Sequence, residues 1–216
     1  MKLPIQDRKA AGRALADLLV DHYRDQDVIV LALPRGGVPV AVEVAKALDA
    51  PLDVLNIRKL GVPFRPELAM GAIASGGIRV LNPEVIRLAG VDRETLEEVI
   101  SIESRELERR ERLYRGDRAR PALTHRCVII VDDGAATGAT MDAAIQAARQ
   151  LGPARVVLAL AVAPPEIVAM LEEDADEVVC LATPAPFFAI APWYRDFSQV
   201  SDDEVRVLLR PETVAA

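Results

Sequence analysis

The chain has 216 residues, 51% of them hydrophobic and 4% aromatic, with a formal net charge of −7. That length suits a single domain over residues 1–216, with a core resting on Ala, Val, Leu and Ile. The acidic balance argues against a nucleic-acid surface, and no apolar run approaches the ~20 residues that span a bilayer.

The first residues, Met1 to Arg8, lack the apolar stretch of a secretory signal. Cys127 and Cys180 read as reduced core thiols, which points to the cytoplasm. His22 and His125 stand apart, without the companions a metal site needs. In residues 7–24, Ala11, Leu15, Leu18, Leu19 and Tyr23 recur at helical spacing, which predicts an amphipathic helix covering a sheet. Residues 28–33 read as a buried strand, 37–48 as the helix after it and 52–57 as a second strand. This order predicts a parallel pair joined by a right-handed crossover. Residues 68–73 and 78–81 flank Ala74-Ser75-Gly76-Gly77 and read as a flexible hairpin. Asn82-Pro83-Glu84 opens a short helix, with Asn82 as N-cap and Pro83 in the first turn.

Residues 92–115 form a long charged helix, in which Glu106–Arg110, Glu108–Arg112 and Glu111–Arg115 are spaced four apart in the favourable order. Its thin apolar stripe, Leu96, Val99, Ile100, Leu107 and Tyr114, fits either a sheet edge or a homodimer contact. A polar connection over 116–126 follows. A third strand then ends in an acid pair, 141–151 continues as helix and 155–162 as strand. Pro164-Pro165 opens another helix, and 177–181 is a last strand. The predicted fold is α/β, an open, mostly parallel sheet of about five strands with helices on both faces. Residues 183–200 form a small C-terminal hood, and Ser201 to Glu204 cap a final helix.

The third strand and its loop carry the chemistry: Val128-Ile129-Ile130-Val131-Asp132-Asp133-Gly134-Ala135-Ala136-Thr137-Gly138-Ala139-Thr140. An apolar run ends in two carboxylates, and a loop of tiny and hydroxylated residues leads into a helix. Backbone N–H groups at such a helix start bind phosphate. Asp132 and Asp133 stand beside it, suited to sugar hydroxyls or hydrated Mg2+. No Gly-Lys-Ser/Thr ending marks a P-loop, and no Gly-x-Gly-x-x-Gly marks a dinucleotide site. Together these features point to a phosphorylated sugar.

Other strand ends add to this. Leu33-Pro34-Arg35-Gly36-Gly37 offers two glycines for close backbone approach and a guanidinium suited to phosphate. Arg58 and Lys59 end the second strand as paired cations. In the hood, Phe187, Phe188 and Trp193 are candidates for stacking on a base.

The 128–140 segment closely resembles the 5-phosphoribosyl-1-pyrophosphate (PRPP) motif of type I phosphoribosyltransferases, with Thr137-Gly138-Ala139-Thr140 as its closing loop. Gly134 departs from the branched apolar residue usual there, which is expected to loosen the loop, and Ala136 from a frequent Ser or Thr. Arg35-Gly36-Gly37 is similar to the family's pyrophosphate loop, and by position the Pro34–Arg35 peptide is expected to be cis. Arg58-Lys59-Leu60-Gly61-Val62-Pro63 resembles the matching stretch of adenine-type members, and Glu67-Leu68-Ala69-Met70-Gly71 their catalytic loop.

The resemblance implies transfer of phosphoribosyl from PRPP, with Mg2+, to a nitrogenous base or amine, releasing pyrophosphate. It assigns ribose hydroxyls and, indirectly, the metal to Asp132 and Asp133. It assigns the 5-phosphate to Ala135, Ala136, Thr137, Gly138, Ala139 and Thr140, pyrophosphate to Arg35, Gly36, Gly37, Arg58 and Lys59, and proton transfer to Glu67. The same fold also serves regulators that bind PRPP or nucleotides without turnover, and water could replace the base as acceptor.

Overall fold

A computed structural model describes residues 2–210. Met1 and residues 211–216, which the single-domain reading takes in, lie outside the described residues. In chain order come α1 (Arg8–Tyr23), β1 (Val28–Ala32), α2 (Gly37–Leu48), β2 (Leu52–Val54), β3 (Ile57–Val62), β4 (Arg65–Ala74) and β5 (Ile78–Leu81). Then follow α3 (Pro83–Leu88), α4 (Arg93–Arg115), β6 (Cys127–Asp132), α5 (Ala139–Arg149), β7 (Arg155–Val162), α6 (Pro165–Leu171), β8 (Glu177–Ala182) and α7 (Asp202–Leu208).

The main sheet has five parallel strands in the order β2-β1-β6-β7-β8, as the apolar runs predict. One face packs Leu15 and Leu19 of α1 and Val40 and Val44 of α2 against Val30 and Ile129. The other packs Met141 and Ile145 of α5 against Ile29, Val128, Ile130 and Leu158. β6 lies at the centre, so whatever follows its last residue stands at the middle of the sheet's carboxyl edge.

The second strand is shorter than expected. It stops at Val54, and Ile57 opens a separate antiparallel sheet of order β3-β4-β5. The predicted hairpin is its β4–β5 half, turning through Gly76 and Gly77, both with positive φ. The missed half pairs β3 with β4 through register shifts around Gly61. This sheet packs Leu60, Val62, Met70 and Ile73 against Ile100 and Leu107 of α4. Leu96 and Val99 pack against the same cluster and Tyr114 is buried in the main core, so all five residues of the α4 stripe are spent within the chain.

The expected pairs along α4 all form, at 2.8 Å for Glu106–Arg110, 3.4 Å for Glu108–Arg112 and 3.3 Å for Glu111–Arg115. The solvent-facing Glu108–Arg112 pair contributes only about 0.3–0.5 kcal/mol. The stronger tie is at the helix end. Arg115 is buried and donates to both carboxylate oxygens of Asp53 on β2, at 2.9–3.3 Å, and to the Val54 carbonyl. It joins α4 to the edge of the main sheet. Among the described residues, no helix is long and apolar enough to cross a membrane.

Asp53→Ala should cost up to about 3–5 kcal/mol in equilibrium denaturation, because the buried Arg115 keeps only Glu111 and the Val54 carbonyl as partners. Asp53→Leu combined with Arg115→Met should recover most of that loss. A deficit for Asp53→Ala below about 1 kcal/mol would mean that the guanidinium reaches water instead.

Candidate active site

β6 ends at Asp132, and the chain then turns through residues 133–138 into α5. The helix starts two residues earlier than expected, so Ala139 and Thr140 belong to its first turn. Gly138, at the cap, has φ of 73°, a backbone conformation that any side chain would strain, and a Cβ there would also have to displace the Met170 methyl of α6. Gly134 is equally confined: a Cβ would meet the Val162 carbonyl at 2.7 Å and Ile190 of the hood at 3.0 Å. The Ala135 N–H donates to that same carbonyl, at 2.9 Å. Gly134 therefore lets β7 and the hood close on the loop, which is held rather than loosened.

Residues 132–138, Thr140, Met141 and Ile190 wall a cavity of about 250 Å3. Its floor is the acid pair. The Asp132 carboxylate accepts from the Asp133 N–H at 2.8 Å. Asp133 is buried and accepts at Oδ2 from Arg8 Nε at 2.7 Å, while its carbonyl accepts from the Tyr194 hydroxyl at 2.6 Å. Burial, and after it the charge of Asp133, push the Asp132 carboxyl well above the usual carboxylate range. Burial also raises Asp133, against the opposing pull of Arg8.

The loop after β1 reaches the same place. A Cβ on Gly36 would overlap the Asp133 carboxylate, and one on Gly37 would lie 2.6 Å from the Val131 carbonyl. Only glycines let this loop sit against the acids. The Pro34–Arg35 peptide is cis, as expected from position. Arg35 itself points to Asp202 of α7, 3.7 Å away, and Asp202 also accepts from the Tyr114 hydroxyl at 2.6 Å.

The remaining candidates are dispersed. Arg58 and Lys59 are not a pair beyond a strand end. They lie within β3, where successive side chains take opposite faces. Arg58 pairs with Glu103 of α4, with Nε 2.7 Å from the carboxylate. Lys59 is exposed and lines a cleft of about 340 Å3 together with Asn82 and, from α5, Ala139, Asp142 and Gln146. Glu67 is exposed on β4, and the cavity wall does not include it. In the hood, Phe187 and Trp193 are half-buried and stack on each other with centroids 6.0 Å apart, whereas Phe188 is 89% exposed. The hood residue at the cavity is Ile190. Reading the sequence missed Arg8, Tyr194 and Ile190, whose roles arise from contacts distant in the chain.

The phosphate-type loop, the acid pair and the glycine loop thus meet at one point on an open α/β sheet. A family model described as phosphoribosyl transferase domain matches residues 3–194. The chain belongs to this phosphoribosyl transferase family. Two proteins of Mycobacterium tuberculosis, named "Putative phosphoribosyl transferase MT0597" (strain CDC 1551 / Oshkosh) and "Putative phosphoribosyl transferase Rv0571c" (strain ATCC 25618 / H37Rv), are 55% identical over 209 residues. The match covers 97% of this chain and 47% of theirs, so the chain spans about half the length of the curated relatives it matches. The crystal structure of TT1426 from Thermus thermophilus is similar at a TM-score of 0.84 and 43% identity, over 97% of this chain and 98% of that one.

The raised Asp132 carboxyl makes a checkable statement about this phosphoribosyl transferase domain. A carboxyl whose pKa is raised on folding favours the folded state only while protonated, and that contribution is lost as the pH climbs through the folded-state value. Asp132→Asn should therefore stabilise the unliganded protein at pH 8 by roughly 0.5–2 kcal/mol. The gain should shrink as the pH falls toward about 4 and vanish at about pH 2.5, below the ordinary carboxylate range, where the acid is neutral in both states. Denaturant midpoints at the highest and lowest of these pH values measure it, and an equal gain at both would contradict the assignment.

Proposed function

We propose that the domain uses PRPP and Mg2+ to transfer a 5-phosphoribosyl group to a nitrogenous base or related amine, with release of pyrophosphate. The observation that carries this reading is the meeting of the acid pair with two separate loops suited to phosphate, one at the α5 N-terminus and one at Gly36-Gly37. A monophosphate needs one such loop. A sugar bearing phosphate at one end and pyrophosphate at the other needs two, with carboxylates between them for its hydroxyls.

In this reading, Ala136, Thr137, Gly138, Ala139 and Thr140 hold the 5-phosphate through backbone N–H groups and two hydroxyls, while Ala135, whose own N–H is bonded to the Val162 carbonyl, lines the site and anchors the loop. Asp132 and Asp133 hold the ribose hydroxyls, and their charge favours the cation that develops at the ribosyl carbon as its bond to pyrophosphate breaks. Gly36 presents backbone to the leaving pyrophosphate, Gly37, whose N–H is bonded to the Leu33 carbonyl, lets the loop close on β6, and Arg35 turns to the pyrophosphate from Asp202. The nitrogen of the acceptor then bonds to that carbon and gives up its proton. Glu67 is the proposed proton carrier, and its exposed place on β4 requires the hairpin to move. Phe188, exposed on the hood, is the candidate for stacking on a base, since Phe187 and Trp193 already stack on each other.

Magnesium fits this donor set. It is usually held by one or two carboxylates, with water and substrate oxygens completing the octahedron. Asp132 and Asp133 supply the carboxylates, and burial raises both acids, so a cation would relieve them. No group of three or more His, Cys, Asp or Glu suited to hold a metal by itself occurs among the described residues. Bound there, the ion would neutralise charge on the departing pyrophosphate.

Titration calorimetry should show PRPP binding that depends on Mg2+ and is lost in the Asp132→Asn, Asp133→Asn double variant. Absence of PRPP heat in the unaltered protein, or retained affinity in the double variant, would sink this reading. Pyrophosphate release measured across purines, pyrimidines and other amines should then identify an acceptor. Tight PRPP binding with silence across the panel would favour a regulator that binds without turnover.

A further inference from the structure

Resting on the reading that the acid pair holds a ribosyl donor, we propose that Arg8 is a positioning residue of this site and acts through Asp133. Arg8 opens α1, directly after the Asp7 side chain that caps the helix through the Ala10 N–H at 2.7 Å. It does not wall the cavity of the acid pair, so its effect on a ligand there must pass through a neighbour.

That neighbour is in close contact. Arg8 Nε stands 2.7 Å from Asp133 Oδ2, and the two side chains are only 12% and 9% exposed. The guanidinium is itself fixed on two further sides. It lies 3.9 Å above the Phe197 ring centroid, and its Nη1 donates to the Ser198 carbonyl at 2.7 Å. Asp133 is enclosed from the other directions. Gly36 lies against its carboxylate, and Tyr194 holds its carbonyl at 2.6 Å. With Oδ2 committed to Arg8, Oδ1 is the oxygen without a hydrogen-bond partner among the described residues, and Asp133 lines the cavity.

Two consequences follow. The carboxylate cannot rotate without breaking a buried, charge-assisted bond, so a ribose hydroxyl or hydrated cation meets Oδ1 in one fixed orientation. The guanidinium also offsets one of two adjacent negative charges, which lets Asp132 and Asp133 stand side by side. Lysine would keep the charge but not the fork, and so could not hold Asp133 and Ser198 together. Because Phe197 and Ser198 belong to the hood, the same guanidinium ties the orientation of Asp133 to the hood segment.

The test is a cycle of variants read by calorimetry with Mg2+ and PRPP, alongside denaturant midpoints. Arg8→Met keeps the stem that packs on Phe197 and removes charge and donors. It should weaken PRPP binding about 10-fold or more, and Arg8→Lys should recover about half of that loss on a logarithmic scale. In an Asp133→Asn background, Arg8→Met should change the remaining affinity by less than about 2-fold, since its target has already been altered. An equal loss in both backgrounds, or no loss in either, would overturn the proposal. A general weakening of the fold would lower affinity whatever stands at position 133, so the cycle separates that case. If the unaltered protein gives no PRPP heat, the donor reading has failed, and the crystal structure of Arg8→Met decides the positioning claim alone. So it does if Asp133→Asn leaves no measurable affinity. The Asp133 carboxylate should then leave its place beside Gly36, and an unmoved carboxylate would overturn the claim.

Discussion

Two adjacent carboxylates at the end of a buried central strand impose the constraint that the surrounding structure answers. Burying both carboxyls is costly, and for Asp132 the adjacent charge of Asp133 adds to the cost. Asp133 is compensated from outside its own segment by Arg8, and Asp132 from within by the next backbone N–H. The α5 N-terminus contributes the positive end of a helix dipole beside them. The glycines at 36 and 37 are the steric counterpart, because any side chain would strike the acids or the strand that bears them. The same strain on the carboxylates makes the place receptive to cations and hydroxyl donors.

The second sheet divides what the sequence places together. Alternation along β3 sends Arg58 to α4 and Lys59 to the cleft beside α5. α4 then acts as a brace with contacts at several heights: Glu97 with Arg79, Glu103 with Arg58, Tyr114 with Asp202, and Arg115 with Asp53. The third of these matters for chemistry. Asp202 faces both Tyr114 and Arg35, so the arginine of the glycine loop is held toward the α4–α7 junction rather than left free in solvent. An anion arriving at Gly36-Gly37 competes with one carboxylate for that guanidinium.

The central sheet was readable because strands buried on both faces leave uninterrupted apolar runs, as in Val128 to Val131. The boundary after β2 was not, because Leu55 and Ile57, on either side of Asn56, continue the apolar alternation while the backbone changes sheets. β3 was hidden for a related reason: Arg58, Lys59 and Gly61 break its alternation, and its partner strand pairs through register shifts. The phosphate loop and acid pair were readable because they are contiguous. Arg8 and Tyr194 were not, since they reach Asp133 from 125 and 61 residues away. No local pattern distinguishes Arg8 from any other arginine in a first helical turn.

The same distinction separates the two halves of the proposed reaction. A donor with phosphates at both ends can be gripped by backbone N–H groups and carboxylates, which demand particular residues at particular spacings. The hood meets no such demand. Its backbone is fixed to the N-terminal segment by bonds from Ile5 to Trp193, Arg195 to Ile5 and Asp196 to Gln6, and most of its rings serve that attachment. Tyr194 and Phe197 sit 5.0 Å apart, with Arg8 over the latter. The aromatic wealth of residues 183–200 is thus largely the anchorage of a cover, with Ile190 as the part that touches the cavity. Phe188, 89% exposed, is the hood ring that takes no part in that anchorage.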